Sequence, residues 1–600
     1  MFGYHNKVLI IDVSARDWQW QGIGEDVLRS FIGGSGLGAY LLYHYCPPGT
    51  DPFSPGNPLI FCTSPLVGSR LTTTSKFAVV SKSPQTGFVG DSLSSSSLAL
   101  SLKGIGADAV IVLGHSKEWI SLKVDETGVE FLPAGQLVGF TTSKTEGYLK
   151  GTLGRNFDIA CIGPAGEKLV RFASISNDGG RQAGRTGNGA VMGSKKVKAI
   201  AFHGRKSVDT CDEGSLSERR KDLSQKSFGH ATEKYRTLGT MANLSVFDRL
   251  KVLPTGNFRN QRGDNFKDIT GETIHSEEKV SSSHCANCTI GCEKLVTVPG
   301  NGTEKVRLEY QSLFALGPLV GISDRATILK SSKFCDEMGM DTISAGSTCA
   351  WFMESMQKDL IPSRWMNKVP EHEDNKDLLE NLLKVISQRS GVGDLLAEGS
   401  ARASKEIGLD SGDFAMHVKG LEMPGYEPRA LQTLALALAV STRGACHNRS
   451  SAYEYDFSSD SDTTSGDKGQ LVKDGEDYSA VMDSLIWCKF VRKVFEQFYE
   501  ESANILDDIT GWNVSADQLR QCGERINNIK KQFNIREGWV KDHDTLPKRI
   551  FSEPSYNGTE NVWLREDDLE KMISSYYRAR EWTSEGLIPE SKLESLGIAF

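Results

Sequence analysis

No stretch of the sequence approaches the roughly 20 consecutive apolar residues that a membrane-crossing helix needs. The most apolar candidate, TLALALAV from Thr433 to Val440, is too short and reads as a buried helix. The opening residues MFGYHNKVLIIDVS carry a short apolar run that ends in Asp12, with no small-residue cleavage site behind it. They read as a first β-strand and not as a secretory leader. An excess of basic charge is also missing: the formal net charge is −8 and the pI is near 5.9. That balance disfavours a nucleic-acid binder. There is no long-period repeat and no flavin motif. What is left is a globular chain, 38% hydrophobic and 24% charged, expected in the cytoplasm. Its 600 residues exceed a single core.

Cysteine is sparse, with 12 in 600 residues, and most stand singly in apolar settings, as buried reduced thiols do. One group is clustered. HCANCTIGCEK, from His284 to Lys294, places Cys285, Cys288 and Cys292 within eight residues. In a cytosolic chain such a cluster points to metal or redox work and not to a disulfide framework. The second CxxC pair of a zinc ribbon is absent. A redox CxxC needs no third cysteine. His284 is a poor co-ligand, because neighbouring side chains rarely converge on one ion. Three close thiolates and one distant one suit a [4Fe–4S] cube; spacing alone leaves zinc and purely structural thiols open.

The first ~205 residues alternate β-branched runs with Gly, Pro and Ser, among them KVLIIDV, PLIFCTS, FAVVSKS, DAVIVLG and VKAIAFHG, and predict a strand-rich domain. RKSVDTCDEGS (Arg205 to Ser215) reads as a linker, after which helical spacing dominates. GLEMPGYEP (Gly420 to Pro428) suggests a further boundary. The expected division is a β-rich domain over 1–208 and two mainly helical domains over 209–420 and 421–600, an α+β protein. The acidic stretch from Tyr455 to Asp477 reads as a surface loop.

Other segments are weaker signals. FIGGSGLGA (Phe31 to Ala39) has its glycines in the wrong frame for a dinucleotide fingerprint. RQAGRTGNGAVMGSKKVKAI (Arg181 to Ile200) combines two arginines with Gly187, Gly189 and Gly193 and suits a phosphate cradle, although a tight turn before a strand explains it as well. DEMGMDT from Asp336 and DSLIWCK from Asp483 share a layout in which carboxylates at helix ends can accept paired hydrogen bonds from a guanidine-like ring. Glu309 precedes an apolar run and His447 follows the buried-looking helix, both suggestive settings for titratable groups.

Taken together, FIGGSGLGA, KSPQTGFVGDS, AGRTGNGAVMGSKKVKAI, CANCTIGC, GMDTIS, GVGDLLAEG, STRGACH, FNIREGW, DTLPKRI and the closing MISSYYRAREWTSEGLIPESKLESLGI follow the order and spacing of one family. Over essentially its whole length the chain resembles the aldehyde:ferredoxin oxidoreductases, which carry tungsten or molybdenum on two pterins. The resemblance implies that Cys285, Cys288 and Cys292 ligate a [4Fe–4S] cube, with Cys488 as the fourth ligand at the end of a pterin motif. It implies pterin contacts at Asp336, Gly339, Asp341 and Asp483. It implies phosphate contacts at Lys76, Arg181, Ala183, Gly184, Arg185 and Gly187, with Mg2+ bridging the phosphates. Glu309 and His447 fall at the positions of the family's catalytic pair.

The sequence also departs from the family pattern. Ile486-Trp487 replace Gly-Leu in the second pterin motif, Lys76 replaces an arginine and so loses a bidentate fork, and Leu93 stands where Asn is frequent. KSSK (Lys330 to Lys333) replaces an ExxH site, so a homodimer bridged by iron is not expected. The implied activity is oxidation of a small aldehyde to its acid, with electrons leaving through the cube to ferredoxin or to an iron–sulfur partner subunit. Two alternatives are a benzoyl-CoA-type aromatic-ring reductase of the same superfamily and an electron-relay or scaffold subunit with a degenerate pterin site.

Overall fold

The structure, a computed structural model, describes residues 1–261, 266–298, 304–457 and 467–598. Twelve strands in the first 203 residues form two six-stranded sheets. The first contains β1 (Lys7–Asp12), β2 (Asp17–Gly22), β3 (Leu59–Cys62), β4 (Lys76–Lys82), β5 (Val89–Ser95) and β6 (Ala109–Leu113), in the order β2-β1-β6-β3-β4-β5. The second contains β7 (Ile120–Asp125), β8 (Gly128–Pro133), β9 (Asp158–Cys161), β10 (Ile175–Asn177), β11 (Arg181–Ala183) and β12 (Val197–His203), in the order β11-β10-β9-β12-β7-β8. The pairs β1–β6 and β7–β12 are parallel and the rest antiparallel.

The strand runs are nearly unbroken in apolar character because most are covered on both faces. Leu9, Ile11, Phe77 and Val79 share a core with Leu122, Val124, Ile200 and Phe202 of the second sheet. The alternate residues Val8, Ile10, Ala78 and Val80 pack with Leu37, Leu41 and Leu42 of the helix Gly34–Tyr45. That helix is the glycine-rich run FIGGSGLGA continued. Its glycines admit the second pterin-type motif at close range: the Gly36 N–H donates to Ser484 Oγ at 3.0 Å, and a side chain on Gly34 would collide with the Asp483 carbonyl.

Beyond His203 the chain is mainly helical, with a three-stranded sheet of Val280–Ser283, Glu293–Thr297 and Lys305–Arg307. The apolar segment at 433–440 is a helix, Gln432–Val440, with every residue from Thr433 on buried. One expectation is corrected. The stretch Tyr455–Asp477 is not loop throughout: residues 458–466 lie outside the described residues, but Lys468–Leu485 is a helix capped by the Asp467 carboxylate on the Gly469 N–H. Its acidic residues Glu476 and Asp477 are buried and bound by Arg580, which is why acidity misrepresents them as surface. Residues 421–429 are buried throughout, unlike an exposed linker.

Candidate active site

Cys285, Cys288 and Cys292 occupy the loop between paired strands Val280–Ser283 and Glu293–Thr297. Asn287 and Gly291 take positive φ of 57° and 59°, and a side chain on Gly291 would strike the His284 ring. His284 itself is exposed and contacts only the Cys288 carbonyl, at 3.1 Å through Nδ1. Cys488 arrives from the end of the helix Lys468–Leu485, 196 positions after Cys292. All four cysteines line one small cavity with Lys76, Ile290 and Phe490.

Cations surround these sulfurs. Arg181 Nη1 donates to Cys285 Sγ at 2.9 Å. A hydrogen bond from Cys288, with Arg181 and Lys76 adding to it, holds the Cys285 thiol below its ordinary range. Burial pushes the Cys488 thiol up, against the pull of Lys76 and Lys489. Among the described residues no group of three His, Cys, Asp or Glu is spaced for a single ion. Four thiols lining one cavity have the donor chemistry that a [4Fe–4S] cube, with one cysteine for each iron, would need.

The two Asp-led motifs share a backbone shape. Gly339 ends the helix Arg325–Met338 at φ 73°, and Ile486 ends Lys468–Leu485 at φ 67°. Each lies three residues after an aspartate, Asp336 or Asp483, and two before Asp341 or Cys488. The second motif therefore keeps the turn without its glycine. A β-branched residue there is strained, and burial of Ile486 in the core between the sheets offsets the strain. Ile486→Gly is expected to lower stability by a net of about 1–3 kcal/mol, the cost of emptying the site less the relieved strain. A thermal melt checks the sign; a raised Tm would show that strain outweighs packing.

Asp483 is held ionised by Lys489, at 3.0 Å, and by Arg449, at 2.7 Å, with Lys76 adding to them. Asp336 is the opposite case: burial pushes its carboxyl up to about 8, against Lys333 and Arg307. Asp341 caps the helix Thr342–Gln357 through the N–H groups of Ile343 and Ser344, and accepts from Arg185 Nε at 3.2 Å.

Sequence reasoning missed the hub at Asp91 on β5. Its carboxylate meets Arg449 at 2.9 Å, Lys530 at 3.0 Å and Arg443 at 3.4 Å, and these cations hold it far below the carboxylate range. Arg443 Nε is buried without a partner. With Lys76 and Lys489, five cations face Asp91 and Asp483, and such a buried excess suits bound anions such as phosphates.

Several expected phosphate contacts are placed differently. Arg181 is engaged by Cys285 and by Glu293, at 2.8 Å. Arg185 holds the carbonyls of Ala445 and Glu422, at 2.7 and 2.5 Å, besides Asp341. Gly187 takes φ 76°, is buried, and has the Arg171 carbonyl where a side chain would stand. Gly189 and Gly193 likewise abut the carbonyls of Ser174 and Gly166, and the Gly189 N–H is bonded to Ala173. These glycines serve close backbone packing, not an exposed cradle. Ala183 is buried; Gly184 is half-buried, with the Gln182 Cβ in ordinary contact where a side chain would be.

Glu309 is surrounded by protein yet keeps much of its surface accessible. Burial raises its carboxyl above the ordinary value of 4.5, partly countered by Arg181 and Arg307. His447 is buried, and burial with Arg185 and Arg443 lowers it to about 3. Its imidazole is therefore neutral near pH 7, and Nδ1 has no partner. Rings connect the two residues: Tyr310, next to Glu309, lies 5.9 Å from Tyr426, whose ring lies 5.0 Å from that of His447. Tyr426 had no signal in the sequence beyond its place in the buried segment GLEMPGYEP.

Comparison with known proteins bears on this arrangement. Family models for the N-terminal domain and for domains 2 and 3 of aldehyde ferredoxin oxidoreductase match residues 8–204 and 218–598. The chain is 35% identical to the tungsten-containing aldehyde ferredoxin oxidoreductases of Pyrococcus horikoshii and Thermococcus kodakarensis, covering 100% of this chain and 99% and 100% of theirs. It is 28% identical to an aliphatic sulfonate oxidoreductase, WOR-like subunit, of Pyrococcus furiosus, over 100% of this chain and 97% of that one. A solved structure of the active-site complex BamBC of benzoyl coenzyme A reductase superposes with a TM-score of 0.84 at 22% identity, over 100% of this chain and 97% of the other, a likeness of fold.

Proposed function

Because the chain belongs to the aldehyde ferredoxin oxidoreductase family, we propose that it oxidises aldehydes to carboxylic acids at a tungsten bis-pterin centre and delivers the electrons to ferredoxin. The observation that carries this reading is the meeting of Cys285, Cys288, Cys292 and Cys488 in one cavity, with Cys488 on the same short segment as Asp483. The overall change is RCHO + H2O → RCOOH + 2H+ + 2e−. When bound, the metal centre supplies the two-electron acceptor and the cube passes electrons on singly.

The chain's own residues bind, orient and move protons. The four cysteines hold the cube. Asp336 and Asp483 hold the pterin rings, Asp336 as a neutral donor and Asp483 as an ionised acceptor. Arg443, Arg449, Lys489, Lys530 and Lys76 would balance the charge of the cofactor's phosphates, and the backbone at Ala183 and Gly184 would approach them. Glu309 takes a proton from the attacking water, and neutral His447 donates to the carbonyl oxygen as charge builds there. Tyr426 keeps the imidazole in place through its ring.

The test is metal analysis of the purified protein together with dye-coupled oxidation of aldehydes. Tungsten with aldehyde-dependent dye reduction supports the reading. Reduction of benzoyl-CoA by a strong reductant, without aldehyde activity, overturns it in favour of the ring reductase. Absence of tungsten and molybdenum after expression with both favours the relay subunit.

The pH profile follows from the same groups. Glu309 must be ionised to act as base, and its ionised fraction grows with pH. The value of kcat/KM is therefore expected to rise through an ionisation above the ordinary glutamate value of 4.5. His447, lowered to about 3, stays neutral and adds no limb. A profile flat from pH 4 to 8 removes Glu309 from this role.

A further inference from the structure

We propose that the surface over the thiol cavity, carrying Phe228, Lys234 and Lys493, is the docking site of an acidic one-electron iron–sulfur carrier; this rests on the electron-delivery reading above. An electron leaves most readily where the thiols lie nearest the surface, and all four cysteines retain partial exposure. The helix His230–Leu238 crosses beside them. Ser227, just before it, meets Thr289 of the cysteine loop at 2.6 Å, and Gly239, just after it, abuts the Cys292 carbonyl. Tyr235 stacks on Phe490 at 4.1 Å between centroids, and Phe490 lines the cavity. Phe228 is 59% exposed, with the Arg236 guanidinium over its ring, an apolar centre of the kind that docking patches present.

Four cations, Lys234, Arg236, Arg492 and Lys493, gather around it, with Glu233 and Glu454 among them. Lys234 is held below its ordinary range by burial and by Lys493 and Arg492. Burial and Arg492 act on Lys493 in the same direction. Arg236 donates to the carbonyls of Ser227 and Gly229, and Lys234 reaches the Asn243 side-chain oxygen at 3.4 Å and lies over the Tyr235 ring. Of the neighbouring acids, Glu454 pairs with Arg492, with Lys493 only 3.9 Å away, and Glu233 faces the exposed His230 ring. On a chain of net charge −8, a cationic patch beside the electron exit steers an acidic partner to that point and away from the rest of the surface. Two reduced carriers leave for each aldehyde oxidised, each having taken one electron.

The test uses the full-length metal-loaded enzyme and its Lys234→Glu/Lys493→Glu variant, with Lys571→Glu, a remote exposed lysine, as control. An acidic bacterial [4Fe–4S] ferredoxin is titrated onto each at low and high salt, and KM is measured with ferredoxin and with a viologen dye. The double variant is expected to weaken ferredoxin binding by about tenfold or more and to raise KM in step at low salt. Its salt dependence flattens, while dye-coupled turnover and iron content stay at wild-type levels. Phe228→Ser is expected to weaken binding with the salt dependence kept. Unchanged binding in both variants overturns the assignment, as does a shift in self-association in place of ferredoxin binding. A wild-type enzyme that oxidises no aldehyde with the dye instead sinks the aldehyde reading, and the binding titration still decides the surface.

Discussion

Replacing Glu309 with glutamine is expected to lower kcat for aldehyde oxidation by roughly 10²- to 10⁴-fold, with tungsten and iron contents unchanged. The amide matches the carboxylate in shape, so the surroundings of the side chain are kept. What is lost is the ability to accept a proton from water. The same burial that raises the carboxyl makes it a stronger base than a surface glutamate, and Arg181 and Arg307 keep enough of it ionised to work near neutrality. Dye-coupled kinetics alongside metal analysis separate this from a loading defect. Full activity in a fully loaded variant would falsify the assignment. His447→Ala is expected to act on the same step but less severely, because a hydrogen-bond donor is removed and not the base.

Replacing Cys488 with serine is expected to have the larger structural reach. A serine hydroxyl is a poor iron ligand, so the iron content should fall and the cube's EPR signal should shift or vanish. The effect does not stop at the cube, since Cys488 follows Asp483 and the strained turn at Ile486 on one short segment. Loss of the ligand frees that segment, so tungsten content should fall along with iron. Cys522→Ser, at a buried thiol bonded to the Ser30 carbonyl and distant in role from the cavity, should leave both metals in place. An unaltered cube in Cys488→Ser would remove the fourth ligand from this position.

How much of this was legible in the sequence depends on the distance over which each feature is assembled. The strands were legible because their two buried faces make unbroken apolar runs, as in FAVVSKS. The helix at 432–440 was legible from apolarity alone. The motif at Asp483 was legible as a pattern, but the replacement of its glycine by Ile486 looked like damage. Only the dihedral shows that the turn survives. The Asp91 hub was invisible because its partners Arg449 and Lys530 lie 358 and 439 positions away. Gly187 and its neighbours misled because glycine serves close packing as readily as ligand approach, and only the carbonyl of Arg171 decides between the two. Acidity in Glu476 and Asp477 misled for a related reason: Arg580, about 100 positions on, neutralises them inside the protein.

The hairpin that carries three cysteines and the segment that carries the fourth are 196 positions apart along the chain. A cube gripping both is a covalent staple across that span. By loop-closure entropy, tying so long a loop removes freedom from the unfolded chain worth about 5 kcal/mol, comparable to a long-range disulfide. The redox centre is then also a clamp on the fold. Exposure to oxygen or chelator, which strips iron, should lower the melting temperature as well as the activity, and the protein's lifetime should track its iron.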